Sequence, residues 1–152
     1  MGCTDCWEHT TNHLPARVAA ALRPLMEHGE TAGVLFGPMG TGRPDHETPA
    51  FNGRADAGLG HEAFAPCEHQ PWDPPRRQSG FRKTARKPYD SYVVAALHRL
   101  KALYPTASMV GSDGHEEDWE GGADAACVDR RDLYREAYGN EPPPSHEVLP
   151  DR

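Results

Sequence analysis

Residues that build deep protein cores are scarce in this chain. Leucine, valine and phenylalanine together supply 21 of the 152 residues, and isoleucine is absent. Below about one fifth of such residues, apolar burial has difficulty offsetting the entropy lost when a chain becomes ordered. The net charge of −7 is too small to predict complete disorder. The composition therefore predicts one small domain with a thin core and much irregular structure, and it excludes a second domain of full size.

The spacing of apolar residues predicts a mixed α+β domain. Pro15 and Pro88 suit the first turn of a helix, Gly139 suits a helix end, and Pro24 is expected to kink or shorten its helix. Short apolar runs beside glycine are typical of strands. We expect three helices, near residues 15–28, 88–104 and 129–138, and two short strands, near residues 33–36 and 107–111.

Glycine and proline dominate the middle of the chain and its end. An irregular stretch of this length is unusual in a compact domain, so it is either mobile or held by something other than apolar packing. Three consecutive prolines, Pro142 to Pro144, predict an extended and largely unpacked terminus. We therefore predict a single domain at residues 1–139, with an irregular segment at 37–80 and a flexible tail at 140–152.

The helix near residues 88–104 has the clearest pattern. Val93, Leu97 and Leu100 fall on one apolar stripe, whereas Ser91 and His98 fall on the face predicted to meet solvent. Trp119, in the acidic turn that follows, is expected to cover the stripe. On this interpretation, truncating Trp119 to alanine costs a few kcal/mol of stability.

Charge is strongly separated along the chain. Between residues 76 and 101 there are eight basic residues and one acid, whereas residues 111–152 contain 12 acids and four arginines. The basic segment could bind a polyanion such as nucleic acid, with Phe81 stacking on a base. The alternative, favoured by the acidity of the whole chain, is that it pairs with the chain's own acidic region. The candidate polyanion ligands are Arg76, Arg77, Arg82, Lys83, Arg86 and Lys87.

Cysteine and histidine cluster near the N-terminus and again near residue 67. Zn²⁺ prefers thiolate and imidazole ligands, and a bound ion would supply ordering energy to a thin core. One hypothesis is a zinc site that joins the N-terminus to the coil. The other, favoured because the chain has only one CxxC pair, is exposed thiols and scattered histidines. The candidate ligands are Cys3, Cys6, His9, His13, Cys67 and His69.

Other motifs give weaker signals. Residues 112–120 contain five carboxylates that could hold Mg²⁺ or Ca²⁺, but their spacing is not that of an EF-hand and favours a solvated turn. The sequence has neither a phosphate-binding glycine loop nor a Gly-x-Ser-x-Gly elbow, so an enzyme is the less favoured class. No stretch has the length of a membrane span and the start is unlike a secretory signal, which predicts a cytoplasmic protein without disulfides.

Residues 81–138 resemble a known group of proteins. The segment from Lys83 to Asp90 (Lys-Thr-Ala-Arg-Lys-Pro-Tyr-Asp) precedes a helix, a Ser-Asp-Gly turn at residues 112–114, and Asp118 with Trp119. This pattern resembles small uncharacterised proteins encoded by phages of actinobacteria, and the lack of isoleucine fits a GC-rich source. The resemblance implies an origin and a helix–strand–turn core, and it implies no mechanism.

Together these features predict a small non-enzymatic accessory protein, encoded by a phage, that acts in the host cytoplasm. Its expected partner is a host or phage protein, or nucleic acid, and not a membrane. Two alternatives stay open. One is a zinc- or magnesium-dependent enzyme that acts on nucleic acid, and the other is a structural component of the virion.

Overall fold

Helices and strands alternate irregularly along the chain, in the α+β class that the sequence predicts. The structure, a computed structural model, describes residues 4–10, 15–67, 77–85, 87–105, 108–112 and 130–148. Its elements in chain order are β1 (Thr4–Thr10), α1 (Pro15–Thr31), β2 (Arg77–Lys83), α2 (Asp90–Leu103), β3 (Ser108–Ser112), α3 (Arg130–Tyr138) and α4 (Ser145–Val148).

The three strands form one antiparallel sheet in the order β2-β1-β3, with the N-terminal strand in the centre. In this register Trp7 of β1 lies opposite Gly80 on one side and Val110 on the other. Trp7 is buried and packs edge-on against Phe64, with 5.0 Å between ring centroids. A Cβ atom at Gly80 would lie 2.5 Å from Cζ2 of Trp7, so this strand position needs glycine because the indole fills the space.

Helix α2 is the centre of the molecule and contacts α1, α3, α4 and β3. The predicted stripe of Val93, Leu97 and Leu100 is buried, as expected. The prediction that Ser91 and His98 meet solvent is wrong, since both are buried. The reason is that neighbours cover α2 on several sides, whereas the amphipathic pattern predicts a helix with one exposed face.

The predicted strand near residues 33–36 is wrong. Helix α1 continues to Thr31, past Pro24, and Gly33 then adopts a left-handed conformation with φ of 73°. The backbone N–H groups of Val34 and Leu35 both donate to the carbonyl of Gly29, so these residues end the helix. A single antiparallel bridge joins residue 36 to residue 52.

Within residues 37–67 of the irregular segment, one buried amide side chain joins four backbone groups. Asn52 is buried, and its Nδ2 donates to the carbonyls of Pro38 (3.1 Å) and His61 (2.9 Å). Its Oδ1 accepts from the backbone N–H groups of Gly53 (2.8 Å) and His61 (3.0 Å). Phe51 and Phe64 are fully buried on adjoining coil, so the segment also contributes to the core. Polar and apolar contacts together therefore order this coil.

The C-terminal segment is packed over part of its length. Helix α4 lies within the region predicted to be a flexible tail, and Val148 is buried in the main core. The three prolines predict an extended chain, but by residue 148 the chain packs against the core. Trp119, which was expected to cover the α2 stripe, lies outside the described residues.

We expect Gly80→Ala to lower the free energy of unfolding by about 2 kcal/mol, because the added methyl group displaces the Trp7 ring. Chemical denaturation of the variant measures this loss. In a Trp7→Leu background the smaller side chain should accept the methyl group, so the additional loss should shrink. An equal loss in both backgrounds would contradict the proposed packing.

We expect Asn52→Ala to lower the free energy of unfolding by about 2–4 kcal/mol, because four backbone groups lose their partner together. Hydrogen exchange should show the N–H groups of Gly53 and His61 among the most accelerated. Asn52→Asp is the matched control, since it retains the acceptor oxygen and loses the two donors. Unchanged exchange at both amides in the alanine variant would refute this role.

Candidate functional site

A buried carboxylate lies at the start of α2 and joins distant parts of the chain. Asp90 is 2% exposed. The hydroxyl of Thr84 donates to its Oδ1 at 2.6 Å, and Nη2 of Arg130 donates to its Oδ2 at 3.2 Å. The negative charge in the first turn also suits the positive end of the helix. Asp90 therefore fixes the start of α3 against the start of α2.

Arg130 satisfies only part of its hydrogen-bonding capacity. The residue is 9% exposed, and its Nε and Nη1 atoms are buried without a hydrogen-bond partner. These two nitrogens carry three of the five N–H groups of a guanidinium. Buried donors without partners cost free energy, and the cost is greatest when the group is charged. Arg130 is thus prepared to bind a further acceptor.

Arg130 lines a small cleft, partly open to solvent, between α2, α3 and the segment that follows α3; it has room for about one water molecule. Arg131 and His98 also line it, so among the described residues its wall carries two guanidinium groups and one imidazole. Nδ1 of His98 donates to the carbonyl of Val94 at 2.9 Å, which fixes the ring plane. The remaining lining residues are apolar or aromatic: Ala95, Tyr134, Pro142 and Pro143.

Side chains on α3 hold that helix firmly against its neighbours. The guanidinium of Arg99 lies 4.2 Å from the Tyr138 ring centroid and donates to the Tyr134 hydroxyl at 3.3 Å. Tyr138 in turn donates to the carbonyl of Ala21 at 2.7 Å, and burial raises the pKa of its hydroxyl. These contacts therefore connect α3 to α1 and α2.

A histidine on α1 makes a second connection between the helices. Nδ1 of His28 lies 2.9 Å from the Tyr92 hydroxyl, and Nε2 lies 2.5 Å from a carboxylate oxygen of Glu136. Burial, with a smaller contribution from Glu136, raises the pKa of Tyr92 to about 12. The chain of three groups thus joins α1, α2 and α3.

The structure uses much of the basic segment for internal contacts. Nε of Arg82 donates to the carbonyl of Ala63 at 2.6 Å, and its guanidinium lies over the Trp7 ring. Lys83 is exposed and Lys87 is half-buried. The side chains of Arg77 and Phe81 in β2, and all of Arg76 and Arg86, lie outside the described residues. Arg82 therefore has a structural role in addition to any role in binding a polyanion.

Of the candidate zinc ligands, the structure describes the side chain of Cys67 alone. It is buried, and burial raises the pKa of its thiol to about 11. Cys6 and His9 lie in β1, whose side chains at these positions fall outside the description, and so do Cys3, His13 and His69. Among the described residues no three His, Cys, Asp or Glu side chains come together as a metal-binding group. The zinc hypothesis stays a prediction.

The acidic turn beyond Ser112 also lies outside the described residues. Within the described ranges, none of the helices has the length and apolar character needed to cross a membrane.

Sequence reasoning missed Arg130 as a site residue, because it was counted with the acidic segment. The signal available was the Arg130–Arg131 pair at the start of a predicted helix, directly after Asp129 in an acid-rich segment. That signal shows positive charge at one point of the chain. Neither the burial of Arg130 nor its pairing with Asp90, 40 residues earlier, is visible from it.

Comparison with known proteins assigns no family. No protein-family model matches the chain, and comparison with curated proteins and with solved structures gives no match either. Function is therefore inferred from the geometry of the cleft and the chemistry of its lining.

We expect the free energy of unfolding to fall as the pH rises above about 9. The pKa of Cys67 is raised by burial to about 11, so the unfolded chain loses this proton first and is favoured by alkali. At pH 10 the effect of Cys67 alone is about 1 kcal/mol. Denaturation of wild type and Cys67→Ala between pH 7 and 10.5 should give a shallower decline in the variant. Parallel curves would contradict the burial of this thiol.

Proposed function

We propose that this protein is a small, non-enzymatic accessory protein that acts by binding another protein through the cleft at Arg130. The observation that carries the proposal is a buried guanidinium with two unpartnered nitrogens, at a small cleft that Arg131 and His98 also line. A concave site with apolar walls and a few convergent polar groups is typical of binding sites. An origin in a phage is part of the proposal, and it rests on the resemblance of residues 81–138.

The internal use of basic side chains favours a protein partner over nucleic acid. Arg82 binds a backbone carbonyl, Arg99 packs on Tyr138, and Nζ of Lys101 donates to the carbonyl of Pro105 at 2.7 Å. Each contact occupies N–H donors or a face of the cationic group that would otherwise be available to a phosphate. The net charge of −7 adds long-range repulsion of a polyanion.

The state of the buried ionisable groups favours binding over catalysis. Residues that transfer protons or attack substrates need pKa values near the working pH. Burial instead raises the pKa of Cys67 to about 11 and that of Tyr92 to about 12, so both stay protonated. The Asp90 carboxylate is already bonded to Thr84 and Arg130. These groups stabilise the fold more readily than they support a reaction.

Affinity capture from an actinobacterial lysate tests this function. The immobilised wild-type protein should retain the same protein partner before and after nuclease treatment of the lysate. Arg131→Glu should abolish retention because it reverses a charge in the cleft wall. Arg23→Glu is the matched control, since Arg23 is exposed on α1 and does not line the cleft.

Two results would contradict the proposal. Retention that disappears after nuclease treatment would identify nucleic acid as the partner. Equal loss of retention in both charge-reversal variants would show that net charge, and not the cleft, governs capture. Metal analysis of the same untagged protein provides an independent check, because one zinc per chain would favour the metal-dependent alternative instead.

A further inference from the structure

We propose that the dipeptide Asn52–Gly53 is a site of spontaneous deamidation that the native fold keeps closed and that unfolding opens. An asparagine followed by glycine is especially prone to this reaction, because the glycine nitrogen reaches the side-chain amide without hindrance from a Cβ atom. The chain has three asparagines, and only Asn52 precedes a glycine. Such a site limits the lifetime of the folded protein, independently of the proposed binding function.

The reaction is internal to the chain and consumes only water, with base as the catalyst. The deprotonated backbone nitrogen of Gly53 attacks Cγ of Asn52 and forms a new C–N bond. The bond from Cγ to Nδ2 breaks, and Nδ2 takes up a proton and leaves as ammonia. Water then opens the resulting succinimide ring at one of its two carbonyl carbons. The products are aspartate or isoaspartate, and nothing is oxidised or reduced.

The fold requires both residues of this labile pair. The amide of Asn52 donates two hydrogen bonds to backbone carbonyls and accepts two from backbone N–H groups, which asparagine does with one short side chain. A Cβ atom at position 53 would collide with the carbonyl oxygen of Leu59, so this position needs glycine. The packing of the coil therefore places an easily deamidated sequence at its centre.

In the native state the same contacts keep the reacting groups closed. Asn52 is 5% exposed, and Gly53 is buried. The N–H group of Gly53, whose proton base must remove, donates to Oδ1 of Asn52 at 2.8 Å. A hydrogen bond approaches a carbonyl near its plane, whereas a nucleophile attacks from above the plane. Reaction therefore requires the amide to rotate, which breaks its bonds to Pro38 and His61.

Deamidation removes the contacts that order the coil. An aspartate at position 52 lacks both N–H donors, so the carbonyls of Pro38 and His61 would face a carboxylate. Isoaspartate also lengthens the main chain by one carbon atom, which disturbs the fit of Gly53. Unpaired buried carbonyls and a buried charge are both costly, so either product disfavours the native state. An opening that lasts long enough for deamidation is therefore irreversible.

Peptide mass spectrometry of the full-length protein tests the protection. Native protein and protein unfolded in guanidinium chloride are held with a reductant at the same mildly alkaline pH, and aspartate and isoaspartate at position 52 are measured over time. We expect the reaction to be about tenfold slower or more in the native protein, because the coil has to open first. Asn140 is exposed and precedes glutamate, so its slow deamidation should differ little between the two states. Equal rates at Asn52 would overturn the proposal.

A matched pair of glycine variants tests whether the contacts of Asn52 provide the protection. A Cβ atom at Gly60 would lie 2.8 Å from the carbonyl oxygen of Gly53 and 3.2 Å from Oδ1 of Asn52. Gly60→Ala should therefore accelerate deamidation of the native protein about threefold or more, since it makes local opening easier. Gly33→Ala adds a methyl group at a left-handed position with no atom within 4 Å, so it adds strain away from Asn52. Equal acceleration in both variants would assign the protection to global stability and overturn the role of these contacts.

Refolding tests the irreversibility. Protein is held unfolded at mildly alkaline pH for increasing times and then diluted into native buffer. The fraction that regains the native circular dichroism spectrum and denaturation midpoint should fall in step with unmodified Asn52. Protein held unfolded for the same times at mildly acidic pH is the control, and it should refold fully because base is too scarce to deprotonate Gly53. Native stability in chains that are fully deamidated at position 52 would refute the irreversible step.

Discussion

The ion pair between Asp90 and Arg130 is the contact on which the arrangement of the helices depends. It joins the start of α2 to the start of α3 and, through Thr84, to the chain that follows β2. A buried ion pair adds little net stability, because desolvation of both charges offsets their attraction. Removing one partner is costly, however, since the other charge is left buried. The pair therefore specifies which helix ends meet, and apolar packing around α2 supplies the stability.

The parts of the fold that depend on local periodicity could be predicted from the sequence. Helix α2 and its buried stripe follow from apolar residues that recur at helical spacing, and β3 follows from a short apolar run before a turn. Strands β1 and β2 could not be predicted in this way. Their sequences are Thr-Asp-Cys-Trp-Glu-His-Thr and Arg-Gln-Ser-Gly-Phe-Arg-Lys, which lack the alternation of apolar and polar residues that indicates a half-buried strand. Their pairing depends on Trp7 and Gly80, which lie 73 residues apart and fit one another only in the folded register.

The candidate site was only partly visible in the sequence, for a related reason. Counting charges along the chain locates the basic and acidic segments correctly. It then gives every residue in a segment the same expected role, whatever its contacts in the fold. Arg82 belongs to the basic segment and is used to hold a coil carbonyl and cover Trp7. Arg130 belongs to the acidic segment and provides the positive wall of the cleft. Burial decides both roles, and burial depends on contacts between residues that are far apart in sequence.

A chain with so few large aliphatic residues has to bury polar groups as well. Its coil and its helix starts are ordered where those buried groups are fully hydrogen-bonded. Asn52 uses all its hydrogen-bonding capacity to hold the coil, and Asp90 bonds through both carboxylate oxygens. Such complete bonding is the condition under which a buried polar group is tolerated.

Arg130 departs from that condition. Within the described part of the chain, Trp7, Ser91 and Arg99 each bury one unpartnered atom, whereas Arg130 buries two and also lines the cleft. The unpartnered nitrogen of Arg99 is compensated by the ring of Tyr138, over which its guanidinium lies. No comparable contact from the described residues compensates Arg130 on the cleft side. In a protein that completes the bonding of Asn52 and Asp90 so fully, Arg130 is the buried cation, among the described residues, whose remaining donors the proposed binding function would use.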